Sequence, residues 1–165
     1  AKRHGCSVAI TASSQVKLDL CKQLGADLVI NYKQQDFAVE IPKHWQGCDL
    51  IIDFVAGDYL NRNLKLLNVD GNLIYLAMLS GRYADTLDMA MMLGKRATIK
   101  ASTLRSRHDQ YKNHLIKEFS HACLADFDDR KLIPNIDTQF AAKDVGNAHQ
   151  RIEDNDTMGK LIGCW

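Results

Sequence analysis

The residues with the clearest potential for chemistry lie near the start of the chain. There a short apolar run gives way to small hydroxyl residues, Ser13 and Ser14, and then to Lys17. In a dinucleotide-binding fold, an acidic residue in the loop after the second strand binds the ribose 2′-hydroxyl and repels a 2′-phosphate. No acidic residue occurs between Thr11 and Lys17, and hydroxyls with an ammonium suit a phosphate dianion instead. The same residues also make an ordinary helix start with Ser13 or Ser14 as N-cap, and on these residues alone that interpretation is favoured.

Two further groups of side chains are less specific. Asp49 and Asp53 alternate along an apolar run, which could indicate acid–base chemistry, but hydrogen bonds to loops and helix ends are the favoured interpretation. The five cysteines are scattered, without a Cys-x-x-Cys pair, and the six histidines show no ligand spacing. We therefore expect no zinc site, and we expect reduced thiols in a cytoplasmic protein.

Composition limits the class of protein. The chain has 165 residues, a formal net charge of +1 and 25% charged residues, which argues against a nucleic-acid-binding surface or a disordered tail. No apolar run approaches the roughly 18–20 residues of a membrane span. We therefore expect a globular domain with a hydrophobic core, and neither nucleic-acid nor membrane partners.

Strand and helix patterns alternate along most of the chain. Near-continuous apolar runs such as residues 48–55 are typical of strands covered on both faces, and the helical patterns between them often end at glycine. This alternation predicts an α/β fold with a Rossmann-like, doubly wound parallel sheet in residues 1–126, followed by a C-terminal segment, residues 127–165. Strands are predicted at residues 7–11, 27–32, 48–55, 72–77, 97–101 and 160–164, with an extended piece at Ile136, and helices at residues 16–24, 59–67, 86–93, 110–126 and 142–155, plus one from Asp36 that is broken at Pro42.

The first residues predict that the sequence begins inside a βαβ unit. Residues 1–3 have the character of a helix end with Gly5 as its cap, and no initiator methionine precedes them. No Gly-x-Gly-x-x-Gly turn is present. The fold is therefore expected to lack its first strand and Gly-rich turn, which leaves a gap in the middle of a sheet of order 3-2-1-4-5-6. Direct pairing of the flanking strands, or association between chains, would compensate.

Several short motifs, each weak alone, occur along nearly the whole chain. They are Thr11-Ala12-Ser13-Ser14 with Lys17; Leu24-Gly25-Ala26 with Ile30-Asn31-Tyr32 and Asp36-Phe37; Asp53-x-Val55-Ala56-Gly57; Asp70-Gly71-Asn72; Ser102-Thr103-Leu104-Arg105-Ser106-Arg107; and Ala148-His149-Gln150 with Gly159-Lys160. In this order and at these spacings, they resemble the cofactor domain of the quinone oxidoreductase branch of the medium-chain dehydrogenase/reductase family.

This resemblance implies a partial NADP-binding domain of an enzyme that passes a hydride from NADPH to a quinone or another activated carbonyl or alkene, without zinc. It implies that Lys17 and Tyr32, helped by Ser13, contact the adenosine 2′-phosphate, and it leaves the catalytic residues unknown. It also implies that the C-terminal segment returns toward a catalytic domain. Plain structural roles remain open for Tyr32 as a strand-end aromatic, Gly57 as a turn glycine and Arg105 as a surface cation. The implied cofactor contacts are Ser13, Lys17, Tyr32, Val55, Gly57, Leu79 and Arg105.

Assembly is predicted from the last strand of the sheet. One edge of this strand has no partner in the domain, and open apolar edges invite pairing with another chain. In the family this region joins two subunits. We therefore predict a homodimer through the segment between Ala97 and Leu104, with the strand meeting its own copy antiparallel.

Two other functions compete with the enzymatic one. A truncated chain of this fold could act as a catalytically inactive nucleotide-binding or interaction module. A non-redox α/β protein, such as a nucleotide-binding transferase, is the third possibility. The missing acidic residue before Lys17, together with Tyr32, favours the oxidoreductase over the third.

Overall fold

The protein folds as two compact units. The computed structural model describes all 165 residues and divides them into Ala1–Ser106 and Arg107–Trp165. Both units alternate helices with parallel strands, so the predicted α/β fold is confirmed. The predicted boundary between residues 126 and 127 falls inside a helix of the second unit, and the division of the chain into those two domains stays a prediction.

The first unit opens with a two-stranded parallel sheet. Its elements are β1 (Ala9–Ala12), α1 (Gln15–Gln23) and β2 (Leu28–Asn31). The two strands pair along their whole length, and Leu18 of α1 is buried. Ahead of them, Gly5 adopts φ 72° at the end of a 3₁₀ turn, as predicted for a helix cap. The predicted strands and helix of this region are confirmed, with small differences at their ends.

A short helix after β2 ends at proline. α2 (Phe37–Glu40) begins after Asp36, whose carboxylate accepts the Ala38 N–H at 2.8 Å. It gives way to a 3₁₀ turn that contains Pro42, because proline lacks the N–H that would continue an α-helix. The predicted start at Asp36 and break at Pro42 are both confirmed.

Three parallel strands form the second sheet of this unit, in the order β3-β4-β5. The elements are β3 (Cys48–Asp53), α3 (Tyr59–Leu66), β4 (Leu67–Tyr75), α4 (Met89–Gly94) and β5 (Thr98–Ala101). Leu64 of α3 and Leu73 of β4 are completely buried, and they pack with side chains of α4 and β5. The helices therefore cover one face of this sheet with a continuous apolar core.

Two elements of the first unit begin at other residues than the sequence predicts. β4 begins at Leu67 rather than residue 72, since a bulge containing Asp70 at φ 64° lies between its two paired stretches. α4 begins at Met89 rather than residue 86. The side-chain amide of Asn61, on α3, donates to the Thr86 carbonyl, and its oxygen accepts the Asp88 N–H. These tertiary contacts fix the segment before α4 begins.

The sheet of the first unit is interrupted between β1 and β3. Each of these strands is hydrogen-bonded on one side only, to β2 and to β4 respectively. Within these 165 residues no strand lies between β1 and β3, and these two strands do not pair directly. Apolar packing joins the two sheets instead, since Ile30 of β2 and Leu66 of α3 belong to one buried cluster that also contacts Ile51 of β3.

The second unit is a helix followed by a small βαβ arrangement. Its elements are α5 (Asp109–Asp128), β6 (Ile136–Ala141), α6 (Val145–Glu153) and β7 (Lys160–Cys164). The extended piece predicted at Ile136 is a full strand that pairs in parallel with β7. The predicted helix at 142–155 starts with a 3₁₀ turn and becomes α-helical only at Val145. α5 is the longest helix, and no helix of the protein is long and apolar enough to cross a membrane.

Candidate functional site

The carboxyl ends of β1 and β2 form the first part of the candidate site. β1 ends at Ala12, opposite Asn31 of β2, and the Tyr32 N–H donates to the Ala12 carbonyl at 3.2 Å. Ser13 and Tyr32 therefore follow neighbouring strands at the same edge, which is where open α/β sheets bind ligands. Lys17 lies in the first turn of α1 and is partly buried. The fold thus brings the predicted phosphate contacts to one end of one small sheet.

The start of α1 leaves a hydroxyl that does not cap the helix. Ser14 occupies the N-cap position in an extended conformation, but its side chain makes no capping hydrogen bond. The first turn of the helix contains no acidic residue. Unpaired N–H groups at a helix start carry partial positive charge and favour anions. The N-cap interpretation is therefore correct for the position of Ser14, and the local electrostatics also suit a phosphate.

Asn31 fixes the turn that carries Tyr32. The side chain of Asn31 is 9% exposed, and its Oδ1 accepts the Lys33 N–H at 3.1 Å. Its carbonyl accepts the Gln35 N–H at 2.8 Å, which closes the turn. Asparagine commonly nucleates such turns by bonding backbone two residues on. Tyr32 itself is 42% exposed, so its ring is accessible from solvent.

A buried carboxylate organises the second part of the candidate site, at the end of β3. Asp53 is 5% exposed, and its Oδ1 accepts the N–H groups of Val55 at 2.5 Å and Ala56 at 3.1 Å. Its Oδ2 accepts the amide of Asn63, which lies on α3, at 2.7 Å. The loop-bonding role favoured for Asp53 from sequence is confirmed. Burial raises the pKa of the Tyr75 hydroxyl, and the nearby negative charge of Asp53 raises it further.

The loops after β3 and β4 are joined to each other. The Ser80 hydroxyl lies 3.1 Å from the Val55 carbonyl and 3.2 Å from the Ala56 carbonyl, and donates to them. Ala56 also forms an isolated parallel bridge with Gly81. Gly57 has φ 54°, and a Cβ there would lie 2.9 Å from the Ser80 oxygen. Glycine at this position is therefore required by close packing as well as by the left-handed backbone.

Two predicted contacts lie on the surface. Leu79 is 81% exposed, and only its backbone takes part in the joined loops, through its N–H to the Phe54 carbonyl at 3.0 Å. Arg105 lies in an exposed turn after β5. Neither side chain is brought against the other candidate residues by a contact within the chain. Their roles at a cofactor stay predictions.

The sequence interpretation missed Asn63 altogether. This residue is 3% exposed on a helix whose other buried side chains are leucines, and its amide donates a hydrogen bond to Asp53. An asparagine in a helical pattern carries no signal that distinguishes a buried partner from a surface residue. Only the three-dimensional contact reveals its place in the site.

No metal centre is built by the side chains of this chain. No group of three or more His, Cys, Asp or Glu residues comes together in an arrangement that could hold a metal ion. The five cysteines are all free, and Cys6 and Cys164 are exposed. A zinc ion would need three or four such ligands around it. The residues present therefore do not fit a zinc site within this chain.

Comparison with known proteins places the chain in context. The sequence model of the family described as "Zinc-binding dehydrogenase" matches residues 1–121. The chain is 26% identical over 165 residues to a quinone oxidoreductase of Rattus norvegicus, covering 98% of this chain and 48% of that protein. It is 27% identical over 167 residues to a 2-haloacrylate reductase of Burkholderia sp, covering 98% and 49%. The chain thus spans about half the length of the curated relatives it matches.

A solved structure has the same fold. The quinone oxidoreductase of Thermus thermophilus, which was also solved in complex with NADPH, superposes with a TM-score of 0.83 at 23% identity. The superposition covers 100% of this chain and 52% of that one. The interrupted sheet of the first unit and the βαβ arrangement of the second unit both fall within this match.

Proposed function

Because the chain belongs to the zinc-binding dehydrogenase family, we propose that it is the nucleotide-binding part of an oxidoreductase that uses NADPH. In this proposal the enzyme transfers a hydride from NADPH to a quinone or to another activated carbonyl or alkene. The cofactor, when bound, supplies the hydride. The residues of this chain bind and orient it, and the residues that act on the acceptor are not assigned.

The preference for NADPH is supported by the charges at the carboxyl end of β1. Lys17 lies one turn into α1, the first turn of that helix carries no acidic residue, and the Ser14 hydroxyl makes no capping bond. Tyr32, which follows β2, lies beside Ala12 at the end of β1, because its N–H donates to the Ala12 carbonyl. An NAD-specific site of this fold places a carboxylate there, which would repel a 2′-phosphate. This absence of a carboxylate, with a cation in its place, is the observation that carries the proposal.

The acceptor class is supported by the names of the relatives. One is a quinone oxidoreductase and another a 2-haloacrylate reductase, so both names point to conjugated, electron-poor molecules. The reaction that fits both names is hydride addition to an activated double bond. We propose that class for the enzyme to which this chain contributes.

Lys17 provides the test of the cofactor preference. We expect Lys17→Ala to weaken NADPH binding by about 1.5–3 kcal/mol, which is the usual worth of a charge-assisted hydrogen bond, and to leave NADH binding nearly unchanged. Titration of both nucleotides against the unmodified and substituted chains measures this. Lys22→Ala, at the other end of α1, is the matched control. Equal losses for the two nucleotides would contradict the 2′-phosphate assignment, and no binding of either would contradict the proposed function.

The homodimer and the cytoplasmic location stay predictions beside this proposal. β5 has β4 as its partner on one side, which leaves the opposite edge of Thr98–Ala101 without a strand in this chain. An open edge with apolar side chains is compatible with pairing to a second copy.

A further inference from the structure

We propose that Asp53 is a positioning residue for the cofactor, which sets the backbone shape of the loop from Val55 to Gly57 without touching the nucleotide. This inference rests on the proposed function, because that loop lies where a dinucleotide crosses the carboxyl ends of the strands. It assigns to a buried carboxylate the geometry of the ribose and nicotinamide end of the site.

The partners of Asp53 leave it no free oxygen for a ligand. Oδ1 accepts the Val55 and Ala56 N–H groups, and Oδ2 accepts the Asn63 amide. None of these partners is a cation, and the carboxylate is 5% exposed. A buried carboxylate is costly unless it is hydrogen-bonded, and N–H donors stabilise its charged form. Asp53 therefore acts on a ligand only through the backbone that it holds.

The backbone that Asp53 holds is unusual. Ala56 has φ 60° and Gly57 has φ 54°, so two consecutive residues are left-handed. Residues other than glycine are strained in this conformation and adopt it where surrounding contacts enforce it. The N–H of Ala56 is fixed by Asp53 from one side. Its carbonyl accepts the Ser80 hydroxyl from the other.

Ser80 connects the loop held by Asp53 to the neighbouring loop after β4. Its N–H and its hydroxyl both donate to the Val55 carbonyl, at 3.0 Å and 3.1 Å. The loop after β4 is thereby tied to the loop after β3. The two loops form one surface with a defined shape, anchored at its base by Asp53 and Asn63.

The experiment compares Asp53→Ala with Asp53→Asn. An asparagine oxygen accepts the two loop N–H groups as well, and Asn63 can turn its amide over to accept the new N–H, so this variant keeps the geometry without the charge. We expect Asp53→Ala to weaken NADPH and NADH alike by about ten-fold, because both nucleotides share the ribose and nicotinamide half. Asp53→Asn should stay within about two-fold of the unmodified chain. Asp49→Ala, on the exposed face of β3, is the matched control.

Ser80→Ala is a second test of the loop geometry, for the case in which Asp53→Ala does not fold. Ser80 is exposed, so its loss should leave thermal unfolding unchanged while it weakens both nucleotides by a few-fold, on the order of three-fold. If Asp53→Ala and Ser80→Ala both fold and bind both nucleotides as tightly as the unmodified chain, the inference is overturned. It is also overturned if Asp53→Ala does not fold and Ser80→Ala binds both nucleotides as before. Failure of the unmodified chain to bind either nucleotide would instead count against the proposed function and, with it, this inference.

Discussion

The two units of the protein are stabilised in different ways. The first contains every fully buried side chain of the structure, among them Leu64 and Leu73 with no exposed surface. The second contains none, although α5 alone runs from Asp109 to Asp128. Burial of apolar surface is the main favourable term in folding, at about 25 cal/mol per Å². The first unit therefore has a core to rely on, while the second depends more heavily on polar contacts.

A single arginine joins α6 to β6 and to the segment before β7 in the second unit. Arg151 of α6 lies 3.1 Å from the Asp137 carboxylate, donates to the Thr138 hydroxyl at 2.7 Å, and donates to the Asp156 carbonyl at 2.7 Å. Asp137 in turn accepts the Met158 N–H at 2.6 Å. These contacts link α6, the edge of β6 and the segment before β7. Apolar substitutions are therefore expected to matter most in the first unit and polar ones in the second.

Removal of a core leucine is expected to have the largest effect. Leu64→Ala in the first unit should lower the free energy of unfolding by about 3 kcal/mol, because it leaves a cavity among buried leucines. Leu124→Ala in α5, where the side chain is 58% exposed, should cost less than about 1 kcal/mol. Urea unfolding followed by circular dichroism measures both. Similar losses for the two variants would remove the contrast between the units.

Substitution of Arg151 should have an intermediate and strictly local effect. We expect Arg151→Gln to speed amide hydrogen exchange in β6 and β7, while exchange in β3 and β4 stays as it was, since its contacts are confined to the second unit. Lys131→Gln, whose exposed ammonium pairs with Asp129 at 2.8 Å, is the control and should change little. Faster exchange throughout the chain would show that the two units unfold together.

The smallest effect concerns acid. Hydrogen bonds from the Thr138 hydroxyl and the Met158 amide, together with the Arg151 charge, lower the pKa of Asp137 below its ordinary value. Hydrogen bonding and charge from Arg62 lower the pKa of Asp36 in the same direction. A carboxyl group whose pKa is lower in the folded state stabilises the fold fully at pH values above its pKa in the unfolded chain, which is about 3.9. This contribution is lost as the pH falls through the pKa of the folded state.

The two units should therefore respond differently to the same acid titration. The first unit retains its apolar core when Asp36 is protonated, whereas the second loses a member of its main polar network when Asp137 is protonated. We expect β6 and β7 to lose amide protection at a higher pH than β3 and β4 below about pH 4. Asp137→Asn should weaken this acid dependence in the second unit. Loss of protection at one common pH would contradict the expectation.

Most elements of the fold could be predicted because local patterns determined them. The start at Asp36, the break at Pro42 and the cap at Gly5 each depend on residues within a few positions, and the structure confirms them. The late start of α4 could not be predicted. It depends on Asn61, which is distant in sequence from the Thr86 carbonyl and the Asp88 N–H that it holds. Side-chain to backbone contacts of this kind compete with the local helical preference.

The candidate site also has one part that depends on local sequence and one part that depends on contacts distant in sequence. The strand pattern predicts that Ser13 and Tyr32 lie at the ends of two neighbouring strands, and the structure places them there. That these residues and Lys17 contact a phosphate is implied by the resemblance to the family and stays a prediction. From the residues alone the loop after β3 could be identified only as a turn, and a cofactor contact there is implied by the family resemblance. Its shape depends on Asp53 and the buried Asn63, whose contact crosses from strand to helix. Spacing predicts where side chains emerge, whereas backbone shape depends on contacts that are distant in sequence.

The apolar cluster around Ile30 and Leu66, which packs the two sheets of the first unit together, matters for a ligand that spans both sheets. In the proposed function the adenosine end of the nucleotide binds beside β1, and the nicotinamide end binds beside β3. Each end would then bind as one module of a tethered pair, and the second contact would benefit from the effective concentration that the first one creates. That concentration depends on the spacing between the sheets, which the apolar cluster around Ile30 and Leu66 helps to maintain. Side chains that never meet the nucleotide would thereby help to determine its affinity.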